Sequence, residues 1–230
     1  MIKINDLCFS WKTTPVINIS NLHIQTGKHL FIEGPSGSGK STLLSLLAGV
    51  LTPNSGGIEV LKQPLTSLSS SQKDSFRADH IGFIFQQFNL IPYLSVIDNI
   101  TLPCSFSTIR KQKAITRSGD LKSEAVRLLK ALGLTGEDIF QRNVNELSVG
   151  QQQRVAAARA MLGSPEIIIA DEPTSALDSA HRDAFISTLF NECDKENITL
   201  IFVSHDSSLK KHFNHHINLG AINNIKQEQQ

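Results

Sequence analysis

The residues best suited to chemistry form one run, Gly34-Pro35-Ser36-Gly37-Ser38-Gly39-Lys40-Ser41-Thr42. Gly34, Gly39, Lys40 and Ser41 fill the spacing G-x-x-x-x-G-K-S, the pattern of a loop that holds phosphates. Glycines reach dihedrals that other residues avoid, and without a Cβ they let a ligand approach the backbone. Successive N–H groups can then converge on an anion. A helix behind the loop adds unpaired N–H donors and the positive end of its dipole. Lys40 offers a point charge for the β- and γ-phosphates, and Ser41 a hydroxyl for the magnesium ion that such phosphates carry. The plainer reading is a glycine-rich turn capping an ordinary helix. The flanks argue against it: His29 to Ile32 is a short apolar run suited to a buried strand, and Leu43, Leu44, Leu46 and Leu47 are spaced like a helix face. The motif argues for binding a polyphosphate and not, by itself, for hydrolysing one.

Three further polar sites each follow an apolar run of strand type. Asp171-Glu172 follows Glu166 to Ala170, Gln86 follows Ile81 to Phe85, and Ser204-His205-Asp206 follows Ile198 to Val203. Asp171 suits a carboxylate for the magnesium ion. Glu172 could accept a proton from an attacking water, or orient that water. Gln86 offers a carbonyl to the metal and an amide to the water, and His205 a hydrogen bond to charge building on the γ-phosphate. Taken singly, these are capping acids, a surface amide and a surface histidine. Four polar groups at four strand ends form a constellation that a lone motif does not. Ser148-Val149-Gly150-Gln151 opens another helix: Ser148 is a good N-cap and Gly150 permits close approach. That is a second helix N-terminus suited to an anion, and on the residues alone a simple well-capped helix reads equally well. Trp11, the only tryptophan, reads first as a packing residue and second as a face on which a base stacks.

The elements that must position these groups alternate. Residues 2–7 and 16–25 show the apolar–polar alternation of half-exposed strands. Thr52 to Gly57 is a turn cluster, Ile58 to Leu61 a short strand, and Ser67 to Ala78 a polar helix. Residues 88–164 hold no convincing strand, with helices at Ser95 to Ile100 and Leu121 to Leu132, and read as a helical lobe inserted into an α/β core. Within it, residues 107–120, with Arg110, Lys111, Lys113 and Arg117, read as an exposed loop or frayed helix with solvated charges. Strands at 166–170 and 198–203 flank a helix at 179–193. The alternation implies a mainly parallel sheet with ligands at its carboxyl ends. The tail, 225–230, is expected to be mobile.

Lys plus Arg number 22 and Asp plus Glu 21 over 230 residues, a balance that gives no reason to expect nucleic acid as a partner. Cys8, Cys104 and Cys193 are odd in number and widely spaced, which fits a reducing compartment. His212, His215 and His216 sit in a late surface segment and read as incidental. The N-terminus lacks a signal peptide's apolar core, and the longest apolar-rich run, Leu43 to Leu51, is far short of the ~20 residues that span a bilayer. The chain is therefore expected to be soluble by itself, with another subunit supplying any membrane spans.

LSVGQ at 147–151, joined to the phosphate loop and to IIIADEP at 167–173, resembles the signature set of ATP-binding cassette (ABC) ATPases. The match runs from about Ile4 to Leu219. It implies a P-loop NTPase core with a mainly parallel sheet, N-terminal antiparallel strands and an inserted helical subdomain at 88–164, all within one ATP-binding domain spanning 1–230. SALD at 175–178 resembles the family's D-loop, Gln86 its Q-loop glutamine and His205 its switch histidine. Trp11 stands where the family carries its adenine-stacking aromatic, which reverses the preference for packing. IGFIFQQFNLIPYLSVIDNITLP at 81–103 and NELSVGQQQRVAAARAM at 145–161 resemble the MacB/LolD-like branch, with FtsE nearby. The resemblance implies a magnesium-dependent ATPase that forms a homodimer on binding ATP. Ser148, Gly150 and Gln151 of one copy would meet the γ-phosphate held by Lys40 of the other, and Asp178 would link the two sites. A groove around residues 87–105 would receive a short helix from an integral membrane permease subunit, placing the chain in the cytoplasm against the inner face of the membrane. The work would be export or mechanotransmission, or, on the FtsE pattern, gating a partner without transport. A chromosome or DNA-repair cassette would need sustained heptads, which the sequence lacks. Two departures stand out: Val149 inside the signature, and Ile217 to Ala221, which lacks the Asp-Gly turn that closes related chains.

Overall fold

The computed structural model describes residues 1–175 and 177–225, so Ala176 of the D-loop-like run and residues 226–230 of the tail lie outside the described residues. The chain opens with an antiparallel hairpin, β1 (Ile2–Trp11) and β2 (Thr14–Ile24), in which Trp11 faces Thr14 across the turn. Next come β3 (His29–Glu33), the glycine-rich loop and α1 (Lys40–Leu47). β4 (Ser55–Val60) and β5 (Gln63–Pro64) follow, then α2 (Ser70–His80) and β6 (Ile81–Ile84). Helices α3 (Val96–Thr101), α4 (Thr108–Ser118), α5 (Leu121–Ala131) and α6 (Val149–Met161) fill the middle of the chain. The last part runs β7 (Ile167–Asp171), α7 (Ser179–Lys195), β8 (Thr199–Ser204), β9 (His215–Asn218) and the short α8 (Leu219–Ile222).

Two sheets result. One is antiparallel, in the order β2-β1-β4-β5; the other has five strands in the order β6-β7-β8-β3-β9, with every pairing parallel. Because both faces of the parallel sheet are covered, its central strands are apolar throughout rather than alternating. In β8, Leu200 and Phe202 join one core, shared with Phe31, Ile168, Ala170 and the helices α3, α5 and α6. Ile201 and Val203 join the other, shared with Ile32, Ile167, Ile169, α1 and the antiparallel sheet. Successive side chains of one strand thus serve opposite layers. Gly82 in β6 lets α6 press on the sheet, since a Cβ there would sit 2.2 Å from the Ala160 carbonyl oxygen.

Three expectations need correction. Within residues 107–120 the chain is helical rather than loop, forming α4, and its charges are not all solvated: Lys111 and Arg117 are exposed, but Arg110 is buried, donating from Nε to the Leu162 carbonyl at 2.7 Å and from Nη2 to that of Ala160 at 2.8 Å. A polar helix is stable there because it caps the carbonyl end of α6. Ser55 to Gly57, read as turn, belongs to β4, because pairing with β1 outweighs weak local strand propensity. The chain end needs no Asp-Gly turn: β9 pairs with β3, and Asn223 then accepts from the Asn18 N–H at 2.7 Å and donates to the Val16 carbonyl at 2.9 Å. Among the described residues no helix is long and apolar enough to cross a membrane.

Candidate active site

The strand order explains why four distant stretches meet. β6, β7, β8 and β3 are consecutive neighbours in one parallel sheet, so Gln86, Asp171-Glu172, His205 and the glycine-rich loop all emerge at the same edge. They line one cleft of about 730 Å³ together with Trp11, Val16, Pro35, Ser36, Gly37, Gly39, Lys40, Ser41 and Thr42.

The loop is shaped by its glycines. Gly39 caps α1 with φ 95°, a left-handed conformation, and a Cβ there would crowd the Val16 carbonyl oxygen at 3.2 Å. Gly37 has φ +78°, and a Cβ on it would meet nothing within 4 Å, so its backbone is bare on the open side. Lys40 is buried and curls back, donating from Nζ to the carbonyls of Gly34 at 2.7 Å and Pro35 at 2.8 Å. An ammonium held only by carbonyl dipoles keeps its full charge available for an anion. Gly34 and Ser38 belong to the loop but do not line the cleft; the buried Ser38 Oγ has no partner among the described residues.

Opposite the loop, Ser41 Oγ donates to Asp171 Oδ2 at 2.9 Å. Burial pushes the Asp171 carboxyl up, the Ser41 hydrogen bond pulls it back, and neighbouring Glu172 and Lys40 act in opposite senses. A half-buried carboxylate bonded to a hydroxyl is a fitting ligand for a divalent cation, and Ser41 supplies the second oxygen. Glu172 is only 8% exposed and takes φ 48°, which is costly for a residue other than glycine. Its N–H bonds to the Val203 carbonyl at 2.9 Å, which fixes that turn. Its carboxylate accepts from Ser204 Oγ at 2.8 Å, from the His205 N–H at 2.8 Å and from His205 Nδ1 at 2.7 Å. Gln86 is exposed on the loop that follows β6. Trp11 is 52% exposed at the mouth, edge-on to Phe9 at 5.0 Å, with its indole N–H 3.5 Å from Thr42 Oγ1.

Ser148, Gly150, Gln151 and Asp178 are not among the residues lining this cleft. Ser148 caps α6 in a reciprocal box with Gln151: Oγ accepts from the Gln151 N–H at 3.4 Å, and the Ser148 N–H donates to Gln151 Oε1 at 2.9 Å. Val149 points outward and leaves this backbone geometry intact. Asp178 caps α7, accepting from the His181 N–H at 3.1 Å and meeting His181 Nδ1 at 2.7 Å.

Sequence reasoning missed three supporting side chains. Ser204 holds Glu172. Gln153, wholly buried in α6, donates to the Pro173 carbonyl at 2.6 Å. Arg159 donates to the carbonyls of Phe88 and Asn89, the second at 2.6 Å, holding two residues of positive φ just after Gln86. Polar residues on an alanine-rich helix give no local sign of which face turns inward.

A second cavity, about 840 Å³, shares Ser41 and Asp171 with the cleft and runs between α2 and the helical lobe, past Val50, Phe83, Phe85, Leu102 and Phe106. Val50 and Phe106 are strongly exposed along it.

Comparison with known proteins gives a consistent picture. The family model described as ABC transporter matches residues 17–175. The chain is 38% identical over 200 residues to the macrolide export ATP-binding/permease protein MacB of Pasteurella multocida, covering 86% of this chain but only 29% of that protein's length. It is 36% identical over 215 residues to the uncharacterized ABC transporter ATP-binding protein MJ0796 of Methanocaldococcus jannaschii, covering 92% of this chain and 89% of that one. A solved dimeric structure of MJ0796, in a post-hydrolysis state bound to ADP and Pi, superposes with a TM-score of 0.83 at 33% identity, covering 96% of this chain and 95% of that one.

Proposed function

This chain belongs to the ABC transporter family, and from that premise we propose that it is the ATP-binding and ATP-hydrolysing subunit of a MacB/LolD-type system. The phosphates lie on the loop from Gly34 to Thr42, with Lys40 between β and γ, and Trp11 stacks on the base. Ser41, Asp171 and Gln86 would hold Mg²⁺, which when bound would neutralise phosphate charge. Glu172 orients the attacking water and takes its proton, while His205 stabilises the γ-phosphate as charge develops. The observation that carries this reading is the meeting of four strand ends in one cleft, with a buried glutamate joined to the histidine beside it.

Residues 88–164 form the inserted helical subdomain within a single domain spanning 1–230. Ser148, Gly150, Gln151 and Asp178, outside their own cleft, serve the partner copy in an ATP-driven homodimer. The cavity between α2 and the lobe receives a short helix of an integral membrane permease, which keeps the chain peripheral on the cytoplasmic face. Its shared wall with the nucleotide cleft at Ser41 and Asp171 gives a direct path from chemistry to the partner. Export is favoured by the likeness to MacB; an FtsE-like gating role without transport uses the same site. Co-purification separates them, since a partner with four spans and a large extracytoplasmic domain marks the export branch.

Glu172→Gln tests the core of the reading. Magnesium-dependent turnover should be nearly abolished while ATP still binds and dimers accumulate on size-exclusion chromatography. Normal turnover in that variant would remove Glu172 from its role.

A further inference from the structure

Glu172 has two oxygens that are not equivalent. Oε2 accepts from Ser204 Oγ at 2.8 Å. Oε1 accepts from His205 alone, through its N–H at 2.8 Å and its Nδ1 at 2.7 Å. The two donors differ in freedom. The His205 side chain is 61% exposed on the cleft wall. Ser204 is 2% exposed at the carboxyl end of β8, and its Oγ also accepts from the Asp206 N–H at 3.1 Å. A hydroxyl has one proton and two lone pairs; the Asp206 N–H occupies one lone pair, and the proton goes to Glu172 Oε2, the acceptor within reach. The buried end of the carboxylate is therefore anchored, and the other end is held by the His205 backbone N–H and by a ring that can turn away.

We propose that Ser204 is a positioning residue for hydrolysis: it fixes Oε2 so that Oε1 is the oxygen presented to the attacking water once His205 turns to the phosphate. In that step the water oxygen bonds the γ-phosphorus and one water proton passes to Oε1. The bridging oxygen keeps the electron pair as ADP departs. The inference rests on the reading of Glu172 as proton acceptor. A base misaligned by a fraction of an ångström loses rate without losing substrate affinity.

The test is steady-state ATPase of the full chain for S204A, S204T, E172Q and the double variant S204A/E172Q, assayed well below each variant's melting temperature. S204A should lose about ten- to a hundredfold in kcat, the worth of a hydrogen bond to a charged group, with KM for ATP within about twofold of the parent. S204T keeps the hydroxyl and should recover most of that loss. In the E172Q background, adding S204A should cost little more, because the group being positioned is already gone. If E172Q is inactive and S204A retains kcat within about twofold, Ser204 has no positioning role, while the reading of Glu172 stands. If E172Q turns over normally, that reading fails and takes this one with it. Should S204A not fold, Ser204→Cys, close in size but a weak donor, carries the same comparison.

Discussion

Trp11 lies at the mouth of the candidate cleft with half its surface open, steadied by Phe9 on its edge and Thr42 at its indole nitrogen. Stacking on an aromatic ring contributes about 1–3 kcal/mol per base and hardly distinguishes one base from another. Trp11→Ala should therefore raise the ATP dissociation constant by about five- to a hundredfold and leave kcat at saturating ATP nearly unchanged. Since it is the only tryptophan, quenching of its fluorescence by ATP in the parent protein is an independent check. Arg110 shows the opposite case, a charge hidden where solvation was expected. Burial pulls its guanidinium down to about 10, and it spends its donors on the carbonyls of Arg159, Ala160 and Leu162. Arg110→Ala would orphan those carbonyls and should cost about 3 kcal/mol or more of stability, read from the urea midpoint. Lysine, with a single nitrogen, should recover less than half of it.

At the scale of elements, single side chains tie helices to strands. Glu166, just before β7, accepts from His80 Nδ1 at the end of α2 at 2.8 Å and from Lys113 Nζ on α4 at 2.9 Å. Burial alone would raise its carboxyl, but those two hydrogen bonds, together with a backbone hydrogen bond and the charge of Lys113, pull it down to about 2. The folded value lies below that of the unfolded chain, about 4.3. The linked stability is therefore fully present above that unfolded value and is lost as pH falls toward about 2. Glu166→Gln should lower the urea midpoint at neutral pH, and the gap to the parent should close through that acid window. A gap independent of pH would show that the charge does not matter. The same elements show what a sequence can tell. Ile167 to Ala170 and Leu200 to Val203 were legible as strands because burial on both faces leaves a continuous apolar run. The cleft residues were legible because each chemistry-bearing group directly follows such a strand. The burial of Arg110 in α4 was not legible, since its partners lie some 50 residues away. Ser204 and Arg159 were missed for the same reason: only the folded chain shows which polar side chain turns inward.

At the scale of the whole molecule, the question is where the fourth side of the nucleotide site comes from. In one chain Ser148 and Gly150, at the start of α6, are not part of the wall formed by Lys40, Asp171 and His205. A helix N-terminus capped by a serine suits an anion, and among the described residues this one does not line the cleft of its own chain. Closing two copies head to tail would bring each such end to the other's γ-phosphate, an isologous arrangement in which every site draws on both chains. Complementation tests this directly. Lys40→Ala and Ser148→Arg should each abolish turnover as pure preparations. In a mixed pair, the intact Lys40 of one chain meets the intact Ser148 of the other, so one composite site per heterodimer survives. After equal mixing, half the pairs are heterodimers with one of two sites intact, and recovery of roughly a quarter of parental activity is expected if sites act independently. A chain carrying both substitutions, paired with the parent, has no intact composite site, so its heterodimers should be inactive. If activity instead follows the parent chain in that pairing, and fails to return when the defects are on separate chains, then each site is complete within one copy and α6 serves its own cleft.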